Sequence, residues 1–107
     1  MFIRYFIESD SQNDAINLIN SDYKKLDCYI CKKEIKKVLP YWKIDNVYIV
    51  EVIIDLQTDM LKSFMDYYSD KWLEYGCPVD EYVASKNIQE CTFIRTGYEM
   101  INIFLDS

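Results

Sequence analysis

The 107-residue sequence contains no histidine, only two glycines and only two prolines. Histidine is a frequent acid–base catalyst and zinc ligand, so its absence excludes histidine-based catalysis and histidine-ligated metal sites. With so few glycines there is no Gly-rich phosphate loop, and no G-x-S-x-G motif occurs. No two acids have a spacing that identifies a catalytic pair. We therefore expect a protein that is not an enzyme, with no catalytic residues, no cofactor and no bound metal.

Long apolar runs are also missing. The N-terminal stretch MFIRYFIESD has an apolar run too short for a secretory signal, and no later stretch approaches the roughly 20 residues of a membrane span. We therefore expect a cytoplasmic protein with no membrane partner, in which the four cysteines stay reduced. Half of the residues are apolar and no repeat or Gly/Ser/Pro linker divides them, which predicts a single domain spanning residues 1–107.

The first elements are a predicted strand and a predicted helix. Residues 2–8 are rich in β-branched and aromatic side chains, which is typical of a strand. The helix that follows has three candidate N-caps, Ser9, Asp10 and Ser11, and apolar residues at helical spacing, Ile16, Ile19, Tyr23 and Leu26. Further on, residues 46–56 are almost continuously apolar and predict a central strand that is covered on both faces.

A long second helix is predicted next, capped by Thr58 and ending near Tyr75, with Gly76 directly after it. Residues 79–88 are compatible with a short helix or a loop. The stretches ECTFIR and YEMINIF then flank Thr96 and Gly97, which predicts a closing hairpin with glycine at a positive φ angle. Together these elements predict an α+β fold, a small single domain in which a mainly antiparallel sheet is packed by two main helices.

Residues 28–39 are ambiguous between helix and strand. On a helix, Cys31, Ile35 and Leu39 share one side while Lys33 and Lys37 point away from it. On a strand, the same lysines fall on the apolar side, which is an untidy pattern. We therefore predict a short helix over residues 31–39. The alternative is a strand, which would complete a ferredoxin-like βαββαβ topology.

The pair Cys28 and Cys31 forms a Cys-x-x-Cys motif with two functional interpretations. A redox pair places its first thiol at a helix N-terminus after a core strand, but the polar SDYKKLD precedes this motif. A zinc site would need Cys77 and Cys91 as well, and they do not form a second knuckle. The remaining interpretation is structural, with Cys31 as a small core residue.

Charge is unevenly distributed along the chain. Residues 24–43 contain seven lysines and two acids, whereas the whole chain has a net charge of −6. Clustered lysines can bind phosphate groups, but they also form ordinary solvated surfaces. Because a net negative protein repels nucleic acid and attracts basic partners, we expect no direct nucleic-acid binding.

The predicted second helix has a broad apolar stripe, consisting of Leu61, Phe64, Met65, Tyr68, Trp72 and Tyr75. Its opposite side would carry an acidic ridge with Tyr67 at the border, consisting of Asp59, Asp66, Asp70 and Glu74. Carboxylates at successive four-residue intervals repel one another, and an acid in the last turn opposes the helix dipole. Since local helix stability does not explain the ridge, we predict that its carboxylates and Tyr67 bind a basic protein partner.

Small size, acidity, ten tyrosines and the lack of catalytic motifs together give a profile that resembles a bacterial immunity protein, the inhibitor that neutralises a delivered toxin. Fourteen isoleucines against two alanines also suit the AT-rich genome of a bacterium or its phage. The resemblance implies that the partner is a cognate toxin domain, in many cases a basic nuclease, whose active site is covered. Two alternatives are a nucleic-acid mimic that inhibits a host nuclease and a Cys-x-x-Cys redox or zinc protein.

Overall fold

The structure is a computed structural model that describes residues 1–105. In chain order its main elements are β1 (Phe2–Glu8), α1 (Gln12–Lys25), β2 (Ile30–Pro40), β3 (Val47–Leu56), α2 (Leu61–Tyr68), β4 (Leu73–Tyr75), β5 (Glu81–Ser85) and β6 (Tyr98–Phe104). The strands form one antiparallel sheet in the order β2-β3-β1-β6-β5-β4. The predicted α+β class is therefore confirmed. None of the helices in residues 1–105 is long and apolar enough to cross a membrane.

The connections follow the split β-α-β pattern. Helix α1 joins β1 to β2, which lie on either side of β3, and α2 lies in the connection from β3 to β6, which lie on either side of β1. This is the βαββαβ arrangement that was the alternative topology. Strands β4 and β5 are additional and extend the sheet beyond β6.

The core lies between the two helices and one face of the sheet. That face contributes Ile3, Tyr5, Ile7, Val50, Val52, Ile54, Ile101 and Ile103, all fully buried. The helices contribute Ala15, Ile19, Tyr23, Phe64, Met65 and Tyr68 to the same cluster. Strand β1 and helix α1 lie where the sequence predicts them, and the Ser11 hydroxyl caps α1 by accepting a hydrogen bond from the Asp14 amide at 3.1 Å.

The opposite face of the sheet has no helix over it within residues 1–105. The prediction that β3 is covered on both faces is therefore wrong, and Ile53 on this face is 46% exposed. An antiparallel sheet with one open face normally alternates apolar and polar residues. Strand β3 does so only in part, because its open face carries Ile49 and Ile53 beside Glu51 and Asp55. We call this side of the sheet the uncovered face.

The second helix is shorter than predicted, and the prediction that it continues to Tyr75 is wrong. Helix α2 ends at Tyr68, and Thr58 is not its cap, since the N-cap is Met60 without a side-chain hydrogen bond. Ser69 is extended and fully buried, and its hydroxyl donates to the Phe93 carbonyl at 2.9 Å. Residues 73–75 then pair with β5. Tertiary hydrogen bonds thus override a favourable helical periodicity.

Residues 31–39 are a strand, so the predicted short helix is wrong. Strand β2 carries two register shifts, between Ile30 and Lys32 and between Ile35 and Lys37. Each shift changes which face the following side chains point to, and this explains the untidy alternation in the sequence. Bulges and lysines are common protections of an edge strand against pairing with another chain.

The C-terminal third also differs from expectation. Residues 81–85 form β5, where a short helix or loop was predicted. The predicted hairpin does not form, because its first strand is absent: residues 90–95 form only one isolated bridge, between Ile94 and Ser69. Its second arm is β6, and Gly97 before it has the predicted positive φ, at 96°.

Replacing Gly97 by alanine is expected to lower the free energy of unfolding by about 1–2 kcal/mol. At φ 96° an L-residue is strained, and an added Cβ would lie 2.7 Å from a Leu18 methyl. Urea unfolding followed by circular dichroism measures the change. Thr96→Ala, at the exposed neighbouring position, should change stability by less than about 0.5 kcal/mol. Equal losses in both variants would contradict the backbone argument.

Candidate functional site

The structure does not assemble the predicted acidic ridge on one helix face. Asp59 lies in the turn before α2 with φ 65°, Asp66 lies on α2, and Glu74 lies on β4. Asp66 is 2.8 Å from the Lys62 ammonium, so its charge is locally balanced. The ridge was a consequence of extending α2 to Tyr75.

Asp70 is occupied by contacts within the chain. Its carboxylate accepts hydrogen bonds from the Thr92 hydroxyl and from the amides of Thr92 and Phe93, the last at 3.0 Å. The hydrogen bond from the Thr92 hydroxyl, with support from these amides, holds the pKa of the Asp70 carboxyl below its ordinary value. Asp70 therefore anchors the segment before β6.

Tyr67 is likewise turned into the structure. Its hydroxyl donates to Asp22 at 2.7 Å, and the Arg95 guanidinium lies 3.8 Å from its ring centre. Burial, together with the hydrogen bond to Asp22, raises the pKa of Tyr67 to about 12. A partner could reach only part of this side chain.

Three of the predicted carboxylates do meet in one shallow groove of about 440 Å³ beside α2 and β4. Its polar lining consists of Lys62, Asp66, Asp70, Lys71 and Glu74, and Trp72 and Tyr82 form part of its apolar wall. The two lysines offset most of the negative charge. The groove therefore brings together Asp66, Asp70 and Glu74 but leaves out Asp59 and Tyr67.

A second depression, which we call the acidic cleft, is more negatively charged than the groove beside α2. It has a volume of about 650 Å³ and is lined by five carboxylates, those of Glu8, Asp10, Asp14, Asp45 and Glu99. Among residues 1–105, no lysine or arginine lines it. Lys86 lies beside it and forms ion pairs with Glu8 and, at 3.9 Å, with Glu99. Asp10, Asp14 and Asp45 form no ion pair within residues 1–105.

Apolar side chains accompany these carboxylates. Ile7, Leu18 and Ile44 line the same cleft, and Ile44 is 43% exposed. Ile44 belongs to the loop between β2 and β3, where Trp42 is 84% exposed. The loop is fixed at both ends, because the Tyr41 ring packs edge-on against Phe6 at 5.0 Å and the Ser9 amide donates to the Asn46 carbonyl at 2.9 Å. An exposed tryptophan on an anchored loop is a typical contact residue.

The acidic cleft was missed because its carboxylates come from four separate segments. They lie at the end of β1, at the start of α1, in the β2–β3 loop and at the start of β6. The sheet register places these segments at one end, since Glu8 pairs with Val47 and Ile7 pairs with Tyr98. Placing the acidic residues on the alternative βαββαβ topology would have shown that they converge at this end of the sheet.

The cysteines do not form a metal site. Cys28 and Cys31 are both exposed, so the prediction that Cys31 is a small core residue is wrong. Cys77 is exposed and Cys91 is half-buried, and all four thiols are free. Across residues 1–105 no group of three or more Cys, Asp or Glu side chains is arranged to hold a metal ion.

A protein-family model that matches the chain was not found, and neither a curated protein nor a solved structure matches it.

Proposed function

We propose that the chain is a binding protein of the immunity type, which neutralises a basic toxin domain by covering its active site, and that it binds through the acidic cleft and the adjoining β2–β3 loop. It acts by occupancy and not by catalysis. The observation that carries this proposal is the convergence of five carboxylates next to the exposed side chains of Trp42 and Ile44, with no lysine or arginine of the described residues in the lining.

The charge of the cleft suits the chemistry of such a partner. Nucleases bind phosphodiesters with arginine and lysine side chains, and carboxylates accept charge-assisted hydrogen bonds from the same groups. A net charge of −6 accelerates encounter with a basic domain, and this attraction weakens as salt is added.

Affinity and specificity would come from the apolar contacts. Trp42 and Ile44 are large side chains that lose exposed apolar surface when a partner covers the loop. The loop ends are already held by Phe6 and Ser9, so little conformational entropy is lost on binding.

Capture followed by a growth assay tests the function. The tagged chain is incubated at low salt with a lysate of its native host, and proteins released at about 0.5 M NaCl are identified. Each captured basic protein is then expressed in a second bacterium with and without the chain. We expect one of them to stop growth alone and to permit growth when the chain is co-expressed. Failure to find such a protein contradicts the proposal, and a captured host nuclease without toxicity favours the nucleic-acid mimic.

Charge reversal locates the binding surface. The double variant Asp10→Lys/Asp45→Lys should weaken binding of the captured partner at least about 100-fold, because like charges then face its cations. The matched control Asp66→Lys/Glu74→Lys has the same net charge but alters the groove beside α2, and it should bind within about fivefold of the unmodified chain. Isothermal titration calorimetry measures both. If the control loses binding and the first variant keeps it, the binding surface is the groove.

A further inference from the structure

The uncovered face of the sheet carries many apolar side chains outside the core cluster. Strand alternation and register place on it Phe2, Phe6, Leu39, Ile49, Ile53, Leu73, Tyr75, Val83, Met100 and Phe104. Ile53, Leu73 and Tyr75 are exposed by 46%, 37% and 49%. Two apolar rows, one through Ile49, Phe6 and Met100 and one through Ile53, Phe2 and Phe104, flank a central row that contains Glu51, Arg4 and Asn102. Exposed apolar rows with polar groups between them are typical of interaction surfaces.

Most charges on this face are paired, an exception being Glu81 beside Tyr75 and Phe104, which forms no ion pair within residues 1–105. The Arg4 guanidinium is 2.9 Å from Glu51 and lies over the rings of Phe2 and Phe104 at 5.7 and 5.9 Å. Lys37 is the cross-strand neighbour of Glu51 on the other side. The face therefore offers little attraction to a strongly basic or acidic partner, although the chain as a whole has a charge of −6.

We infer that the uncovered face binds a second copy of this chain, forming a twofold-symmetric dimer with the two sheets packed face to face. In a twofold interface each apolar row of one copy packs against an apolar row of the other, and the pairing of Arg4 with Glu51 limits charge repulsion between the two faces. In a sandwich of this kind the inner faces of the two sheets pack about 10 Å apart.

Asn102 is a polar side chain of the central row whose hydrogen bonding a second copy can complete. It lies opposite Arg4 near the middle of the face, and its Oδ1 is buried without a hydrogen-bond donor within residues 1–105. A carboxamide both donates and accepts, so two copies of Asn102 that meet near a twofold axis can pair with each other after a side-chain rotation. Pairing removes the cost of the unsatisfied acceptor.

The size of the face approaches that of a stable interface. Six strands at about 4.8 Å spacing and three rows of side chains at about 6.8 Å give a projected area of roughly 600 Å². The accessible surface of protruding side chains is larger than its projection, which brings it near the roughly 800 Å² per partner of a stable interface.

Sedimentation equilibrium of the full chain from about 1 to 200 µM tests the inference. We expect the mass to rise with concentration from 12.9 kDa to twice that value. Dimerisation should tighten when NaCl is raised, because salt screens the repulsion between two acidic chains. Partner binding at the acidic cleft should weaken under the same change, so the two proposals can fail separately.

Two matched variants identify the interface. Ile53→Glu places a charge on the uncovered face at a half-exposed position, and it should weaken dimerisation more than about 100-fold while circular dichroism stays native. Phe93→Glu introduces the same charge at a residue that is 40% exposed outside this face, and it should leave the dimer intact. A monomer at every concentration and salt, or a dimer that persists in a folded Ile53→Glu variant, would overturn the inference.

Discussion

Raising the pH above 10 is expected to unfold this protein steeply. Four tyrosines are buried together, Tyr5, Tyr23, Tyr68 and Tyr98. The Tyr5 hydroxyl is hydrogen-bonded to the Tyr23 hydroxyl at 2.8 Å and to the Tyr68 hydroxyl at 3.2 Å. Burial raises the pKa of each of these phenols above the ordinary value of 10.0. The unfolded chain therefore loses these protons first, and stability that is complete below pH 10 falls as the pH rises.

The expected size of this effect follows from linkage. Each buried phenol that stays protonated costs about 1.4 kcal/mol of folding free energy per pH unit above its unfolded pKa. Four such groups give a slope of about 5.6 kcal/mol per pH unit, and a domain of this size has a total stability of roughly 5–15 kcal/mol. We therefore expect the alkaline unfolding midpoint between about pH 11 and about pH 13.

Spectrophotometric titration with circular dichroism measures the transition. The four buried tyrosines should ionise only as the native circular dichroism signal disappears. Tyr5→Phe/Tyr23→Phe should reduce the slope by about half, whereas Tyr75→Phe, at a residue that is 49% exposed, should not change it. Ionisation of all ten tyrosines with a native circular dichroism spectrum would contradict the prediction.

Replacing Asp22 by alanine is expected to lower the free energy of unfolding by about 3–5 kcal/mol. Asp22 is 3% exposed and accepts hydrogen bonds from the hydroxyls of Tyr67 and Tyr98. It lies in the last turn of α1, where the helix dipole disfavours an anion, so the two phenols hold the charge in place. Without the carboxylate, the fully buried Tyr98 hydroxyl loses its acceptor.

Urea unfolding of three variants separates this loss from a general effect of altering α1. Asp22→Asn keeps one acceptor oxygen and should lose roughly half as much stability as Asp22→Ala. Asp14→Ala removes a carboxylate from the first turn of the same helix and should cost less than about 1 kcal/mol. An Asp22→Ala variant within about 1 kcal/mol of the unmodified protein would show that the phenols find other partners.

The parts of the fold that follow from sequence are those with local signals. Ser11 and the buried side chains of Ile19 and Tyr23 define α1, and alternating and β-branched residues define β1 and β6. The errors occur where contacts distant in sequence decide the outcome. Helix α2 stops because Ser69 bonds to Phe93, and β2 is a strand because it pairs with β3 through two bulges.

The residues of the candidate site also depend on contacts that are distant in sequence. The predicted ridge depended on one helical projection and failed when that helix ended at Tyr68. The acidic cleft depends on a sheet register that brings Glu8, Asp45 and Glu99 to one end, and no local spacing encodes it. The acidic character of the proposed interface was predictable from net charge, but its residues required the topology.

Hydrogen–deuterium exchange of the chain, free and bound to the captured toxin domain, tests the central claim most directly. We expect the partner to slow exchange of the amides in residues 8–14, 41–46 and 96–99, the segments that form the acidic cleft and its loop. Residues 61–75 should exchange at the same rate in both states. Protection confined to residues 61–75, with the cleft segments unchanged, would contradict the account and place binding at the groove beside α2.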